Sequence, residues 1–148
     1  RERGKRLLKL ISVMQFTLPG VPCIYYGDEA GIEGGEDPFN RGCYPWGKED
    51  KELLEHYRFL GKIRKEHKVF AQGEFVPVSA ALGCVAYERR SDAERIMTVA
   101  NRNSHSIVYI LPEEGYVSLT GEKIIGRELY LEKETAAILI WQKKAEKI

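Results

Sequence analysis

The chain has 148 residues, with 23 Lys plus Arg against 22 Asp plus Glu and 43% hydrophobic residues. That length suits one ordinary domain with a core of its own, and aromatics at 10% exclude a disordered chain. A net charge of +1 offers no basic field to a nucleic-acid backbone. No apolar run reaches the ~18 residues needed to cross a bilayer, so neither a membrane nor a nucleic acid is an expected partner.

Residues 5–18 open the chain with apolar side chains at Leu7, Ile11, Met14 and Leu18, the spacing of one helical face. Leu8, Leu10, Val13 and Phe16 widen that face, so a helix buried around much of its circumference is predicted. Pro19-Gly20 ends it. The chain starts at Arg1 without an initiator Met, the first Met being Met14 inside this periodic stretch. Arg1 to Lys9 reads like the middle of an element, which fits a trimmed terminus and a segment of a longer protein equally well.

Next comes Val21-Pro22-Cys23-Ile24-Tyr25-Tyr26-Gly27, apolar without alternation, which predicts a strand buried on both faces as in a parallel sheet. Residues 28–48 follow as a long irregular segment rich in glycine, and loops of that length are usually functional or disordered. Phe39, Tyr44 and Trp46 argue against disorder. A second helix is predicted from about Asp50 to His67, with Asp50 as N-cap, acidic residues at its start and mostly basic ones at its end. Its apolar stripe is Leu53, Tyr57, Leu60 and Ile63.

After Lys68 the period changes to two. Strands are predicted at 74–78, 82–89, 95–101, 105–111, 116–119 and 135–141, with a further one near 128–131. Turn residues separate them and no helix intervenes, the pattern of an antiparallel sandwich or barrel. The change of period puts a domain boundary near residues 68–73, giving 1–70 and 71–148.

Several chemistries can be weighed on the residues alone. A phosphate loop fails: there is no GxGxxG or GK[ST], and Asp28, Glu29, Glu33, Glu36 and Asp37 among the glycines would repel phosphate. The order of a calcium loop is missing. Asp28 and Glu29 are adjacent, so an extended backbone points them apart, unlike a glycosidase couple facing across ~5–5.5 Å. His56, His67 and His105 lie far apart, and no nucleophile elbow is present. Cys23, Cys43 and Cys84 form neither a zinc pattern nor a disulfide framework, and reduced cysteines suit a cytoplasmic protein. No cofactor or metal is called for.

The run from Gly20 to Glu29 resembles the G-x-P-x-I-x-Y-G-x-E signature of the alpha-amylase family of glycoside hydrolases, with every fixed position matched. Asp37-Pro38-Phe39-Asn40-Arg41 and the aromatic stretch ending in Trp46 then resemble the neopullulanase, cyclomaltodextrinase and maltogenic-amylase branch. The resemblance implies an α+β fragment: the last strand of a (β/α)₈ barrel with its flanking helices, then the antiparallel β-sandwich called domain C. Barrel sites lie at the C-terminal ends of the strands, where loop 28–48 begins. It further implies that Asp37 and Arg41 contact sugar hydroxyls, the carboxylate accepting and the guanidinium donating. A local Asp37–Arg41 salt bridge that only shapes the loop is the competing assignment. Trp46 or Tyr44 stacks on sugar or anchors the loop, and Tyr26 and Glu29 are supporting residues.

The family's catalytic carboxylates occupy motifs on earlier strands that this chain does not contain, so it has no catalytic residue. It is expected to be inactive alone, as the tail of an enzyme hydrolysing α-1,4 or α-1,6 bonds of an α-glucan or maltooligosaccharide with retention. A free-standing carbohydrate-binding or assembly sandwich is the alternative. Leu7, Ile11, Met14, Leu53, Tyr57 and the edges of 21–27 would then need cover, from the sandwich or from another copy in a homo-oligomer.

Overall fold

A computed structural model describes residues 1–143. Helix α1 spans Glu2–Thr17 and ends where Pro19-Gly20 follows. Short 3₁₀ turns occupy Asp28–Ala30 and Phe39–Arg41. Helix α2 spans Lys51–Glu66, with the Asp50 side chain accepting from the Glu52 and Leu53 amides as predicted for an N-cap. A short helix α3, Val69–Gln72, was not foreseen because it has one turn and no period to show.

Among the described residues eight antiparallel strands follow: β1 (Glu74–Ala81), β2 (Cys84–Arg90), β3 (Arg95–Asn101), β4 (Ile107–Ile110), β5 (Tyr116–Ser118), β6 (Ile124–Ile125), β7 (Glu128–Leu131) and β8 (Thr135–Trp141). They make a five-stranded sheet ordered β1-β2-β3-β8-β5 and a three-stranded sheet ordered β4-β7-β6. Every predicted strand from 74 onward has its counterpart, and the two-residue β6 was missed. Leu82, expected inside a strand, instead forms a tight turn with Gly83, both at positive φ (53° and 74°), and is 94% exposed. Two left-handed residues are what a two-residue hairpin requires.

The large sheet is buried on both faces at its centre. Along β3, Met97 and Val99 point between the sheets, where they meet Leu111, Leu129, Leu131, Ala137 and Leu139. The alternate residues Ile96 and Ala100, with Ala136 and Ile138 of β8, point the other way, against Leu10, Val13 and Phe16 of α1 and Leu60 and Ile63 of α2. The strand register places Ala100 opposite Ala136, small residues that let the helices approach.

Two expectations are corrected here. Residues 21–27 form no strand: the segment is irregular, Val21 is 93% and Tyr25 76% exposed, and no strand among the described residues pairs with it. A strand needs a neighbour's N–H and C=O groups, and here none is placed to supply them. In α1 the buried face is Leu10, Val13, Phe16 and Thr17, whereas Ile11 of the predicted face is 59% exposed. The sheet lies on the Leu10 side of a helix whose second half carries apolar residues around most of its circumference, and this decides which strip is covered. Leu53 and Tyr57, expected to find cover on the sandwich or on another copy, are buried within the chain, Tyr57 in one cluster with Ile96 and Ile138 of the sheet. Tyr57 packs edge-on to Phe16, with ring centroids 6.1 Å apart.

Polar groups lock the helices to the sheet. Thr17 Oγ1 lies 2.7 Å from the Tyr87 hydroxyl, and Arg89 donates to the Thr17 carbonyl at 3.2 Å. Arg64 of α2 donates to the Phe16 carbonyl at 2.6 Å and to Gly20 O, filling acceptors at the α1 C-terminus. Arg3 and Arg6 pair with Glu134 in the β7–β8 turn at 2.6 and 3.1 Å. Within the sandwich, fully buried Glu88 accepts from Tyr116, Arg90 and Arg95. Burial alone would raise its pKa, but these donors hold the carboxyl below its ordinary value.

His56 of α2 sits 2.8 Å from Ser12 Oγ of α1, and burial together with the charge of Lys9 lowers its pKa from 6.5 to about 4. The unfolded chain therefore takes up this proton at a higher pH than the folded one, so the contribution to stability is present above about 6.5 and is lost as pH falls toward 4. Urea midpoints measured across that window are expected to fall more steeply for the wild type than for His56→Gln. Parallel curves would contradict the assignment.

Candidate functional site

The glycine-rich loop is closed at its base. Asp50 N donates to Ala30 O at 3.0 Å, and Lys5 Nζ of α1 reaches Asp50 at 2.9 Å. Lys5 also pairs with Glu52, as does Lys9, so two lysines one turn apart on α1 grip the first turn of α2. Lys5, the largest influence, holds the Asp50 carboxyl below its ordinary pKa, together with the Leu53 amide. This ladder was not foreseen. Its only trace in the sequence is the i,i+4 spacing of Lys5 and Lys9 on a helix that would later meet an acidic N-terminus.

The entry to the loop turns at Gly27, where φ is 77° and a β-carbon would stand 2.3 Å from Ile32 Cδ1. A side chain there would strain the backbone and push Ile32 aside, so glycine is favoured. Asp28 is part-buried, and burial, then the neighbouring Glu29 charge, raises its pKa. Glu29 Oε2 is buried with no hydrogen-bond partner among the described residues. Burial, and next the Asp28 charge, pushes the Tyr57 hydroxyl up to about 12. A cleft of about 440 Å³ lies beside the loop, lined in part by Lys5, Leu8, Ile32, Asp50 and Leu53.

Farther along, Arg41 Nε lies 3.0 Å from Asp37 Oδ1, and both side chains are mostly exposed, at 77% and 64%. The structure thus brings the two predicted site residues together as an i,i+4 ion pair at the surface. A guanidinium and a carboxylate held side by side present donors and acceptors together, suited to a polyol. Tyr44 and Trp46 pack with centroids 4.6 Å apart, and Trp46 is 82% exposed. Tyr26 donates its hydroxyl to Gly42 O, tying the loop to the segment before it.

Other arrangements carry no chemistry. Ser12 and His56 are as close as a nucleophile and its base, but Ser12 is 1% exposed and its hydroxyl is committed to Lys9 O at 2.9 Å. Among the described residues no three His, Cys, Asp or Glu gather as a metal site. No helix is long and apolar enough to cross a membrane.

With the fold and loop in view, the chain is a small α+β unit built on an antiparallel sheet, and comparison with known proteins says where such a unit occurs. It is 38% identical over 110 residues to the maltogenic alpha-amylase of Bacillus acidopullulyticus, covering 70% of this chain and 19% of that protein. It is 31% identical over 137 residues to the cyclomaltodextrinase of Geobacillus thermopakistaniensis, covering 90% of this chain and 23% of that protein. It overlays on the alpha-amylase of Geobacillus thermoleovorans, solved with acarbose, with a TM-score of 0.83 at 26% identity, covering 95% of this chain and 34% of that one. No protein-family model matches it. The chain is homologous to one segment of glycoside hydrolases of the alpha-amylase family, and it spans less than a quarter of the length of these two curated relatives.

Removing the Asp50 side chain, with its cap and its Lys5 pairing, tests how this base is held. Asp50→Ala is expected to cost about 1 kcal/mol through loss of the α2 cap, read as a lower urea midpoint. Asp50→Asn, which keeps the cap and loses the Lys5 pairing, should fall between. An alanine variant as stable as the wild type would contradict the role given to Asp50.

Proposed function

We propose that this chain is the C-terminal part of a retaining glycoside hydrolase acting on α-1,4 or α-1,6 bonds of α-glucans. The observation that carries this reading is the overlay of 95% of the chain on an alpha-amylase at a TM-score of 0.83. Residues 1–70 close a (β/α)₈ barrel, with α1 and α2 flanking a last strand at 21–27, and residues 71–148 form domain C. The exposed, unpaired apolar segment 21–27 supports this assignment, because a neighbouring barrel strand would both cover Val21 and Tyr25 and pair their backbone. Three free cysteines, two of them exposed, support a cytoplasmic setting.

Asp37 and Arg41 bind sugar in this reading. Asp37 accepts from hydroxyls and Arg41 donates to neighbouring ones, each trading part of their mutual ion pair for the substrate. The nucleophile and the acid/base lie in the rest of the enzyme, and neither Asp28 nor Glu29 takes those roles. A sandwich that binds carbohydrate by itself is poorly supplied: Tyr87 and Tyr116 are buried, and Lys123 Nζ lies 5.1 Å over the Tyr130 ring.

Incubated with maltoheptaose, cyclodextrin or pullulan, the 148-residue chain is expected to release no reducing sugar. In the full-length enzyme, Asp37→Ala or Arg41→Ala is expected to raise KM about tenfold, the loss of one charge-assisted hydrogen bond. Turnover by the chain alone that is abolished by Asp28→Asn or Glu29→Gln would overturn the proposal.

A further inference from the structure

From residue 33 to residue 43 every side chain is exposed, so no packed core shapes the stretch that carries Asp37 and Arg41. Its own backbone bonds are local: Phe39 N donates to Glu36 O at 2.8 Å and Arg41 N to Pro38 O at 3.0 Å. Among the described residues, the hydrogen bond that reaches residues 34–43 from outside the loop comes from Tyr26, through its hydroxyl to Gly42 O. Gly42 follows Arg41 directly.

Tyr26 also has an unusual backbone. Its φ is 36°, in the left-handed region, and Gly27 follows at 77°. A residue with a β-carbon is strained there, and glycine or asparagine adopts it more readily. Unlike Leu82, which takes up a positive φ in a hairpin turn with its side chain in solvent, Tyr26 at its strained position has its side chain engaged, through the hydroxyl on Gly42 O.

We infer that Tyr26 is a positioning residue for the sugar-binding pair: its hydroxyl, fixed on Gly42 O, holds the 3₁₀ turn that presents Asp37 and Arg41 together. The inference rests on the reading of those two residues as sugar ligands. With the tie in place the turn is ordered before substrate arrives. Without it, part of the sugar-binding energy goes into ordering the loop, so affinity falls while the chemical step is untouched.

Tyr26→Phe removes only the hydroxyl. In the 148-residue chain, amide exchange at Phe39 and Arg41 is expected to quicken about fivefold, the effect of one lost hydrogen bond, with α2 and β3 unchanged. In the full-length enzyme the same change is expected to raise KM for maltooligosaccharides about fivefold, with the effect on KM rather than kcat, and to add nothing to Asp37→Ala. Tyr26→Asn relieves the backbone, so it is expected to be at least as stable as the wild type yet to show the same rise in KM. Unchanged exchange in Tyr26→Phe, full additivity with Asp37→Ala, or an asparagine variant with wild-type KM overturns the inference and leaves the sugar-binding reading standing. A KM untouched by both Asp37→Ala and Arg41→Ala overturns that reading and this inference with it.

Discussion

The structure depends on two strands, β3 and β8, that are buried on both faces. Alternation along a strand normally separates a wet face from a dry one. Here it separates two dry faces: Met97, Val99, Ala137 and Leu139 serve the sandwich, while Ile96, Ala100, Ala136 and Ile138 serve the helices. Each fully buried aliphatic side chain contributes roughly 1.5–3 kcal/mol relative to exposure. The two isoleucines of the helix-facing set alone therefore contribute roughly 3–6 kcal/mol, a large share of the net stability of a whole domain, about 5–15 kcal/mol. The helices are a second wall of the core and not an appendage to the sandwich.

From that wall the candidate site follows by a chain of contacts. The sheet fixes α1 through Leu10, Val13 and Phe16, and α1 fixes α2 through Tyr57 and the Arg64 bond to Phe16 O. Lys5 and Lys9 then hold the start of α2, and Asp50 closes the loop on Ala30. Only the distal part, residues 34–43, escapes this hierarchy, and among the described residues its ordering contacts are its own backbone bonds, the ion pair of Asp37 with Arg41 and the Tyr26 tie. Rigid elements hold the loop's base while its tip presents polar groups to solvent, the usual division of labour in binding loops.

What the sequence revealed follows from the range of each interaction. The stripe Leu53, Tyr57, Leu60 and Ile63 and the cap Asp50 depend on spacing within one helix, so α2 was legible to the residue. The strands from 74 to 141 were legible because turn residues punctuate them. The buried face of α1 was not, since the apolar residues of its second half ring the helix and do not say on which side the sheet will lie, and Ile11 is exposed. Segment 21–27 had the composition of a central strand, but a strand is defined by its neighbours, which composition does not show. Asp37 and Arg41 were named through the D-P-x-x-R resemblance alone. Their 3.0 Å pairing agrees with the i,i+4 spacing, whereas the Tyr26 tie spans 16 residues and left no local pattern.

The most direct test of two-sided burial is to separate the walls. Residues 71–148 expressed alone should fail to give a stable sandwich: amide spectra poorly dispersed, strong hydrophobic-dye binding, and no cooperative urea transition. The 148-residue chain should unfold in a single transition, with helical signal and Trp141 fluorescence changing together. A truncated sandwich that folds cooperatively with the stability of the whole chain would contradict the account, because its helix-facing residues would then need no cover.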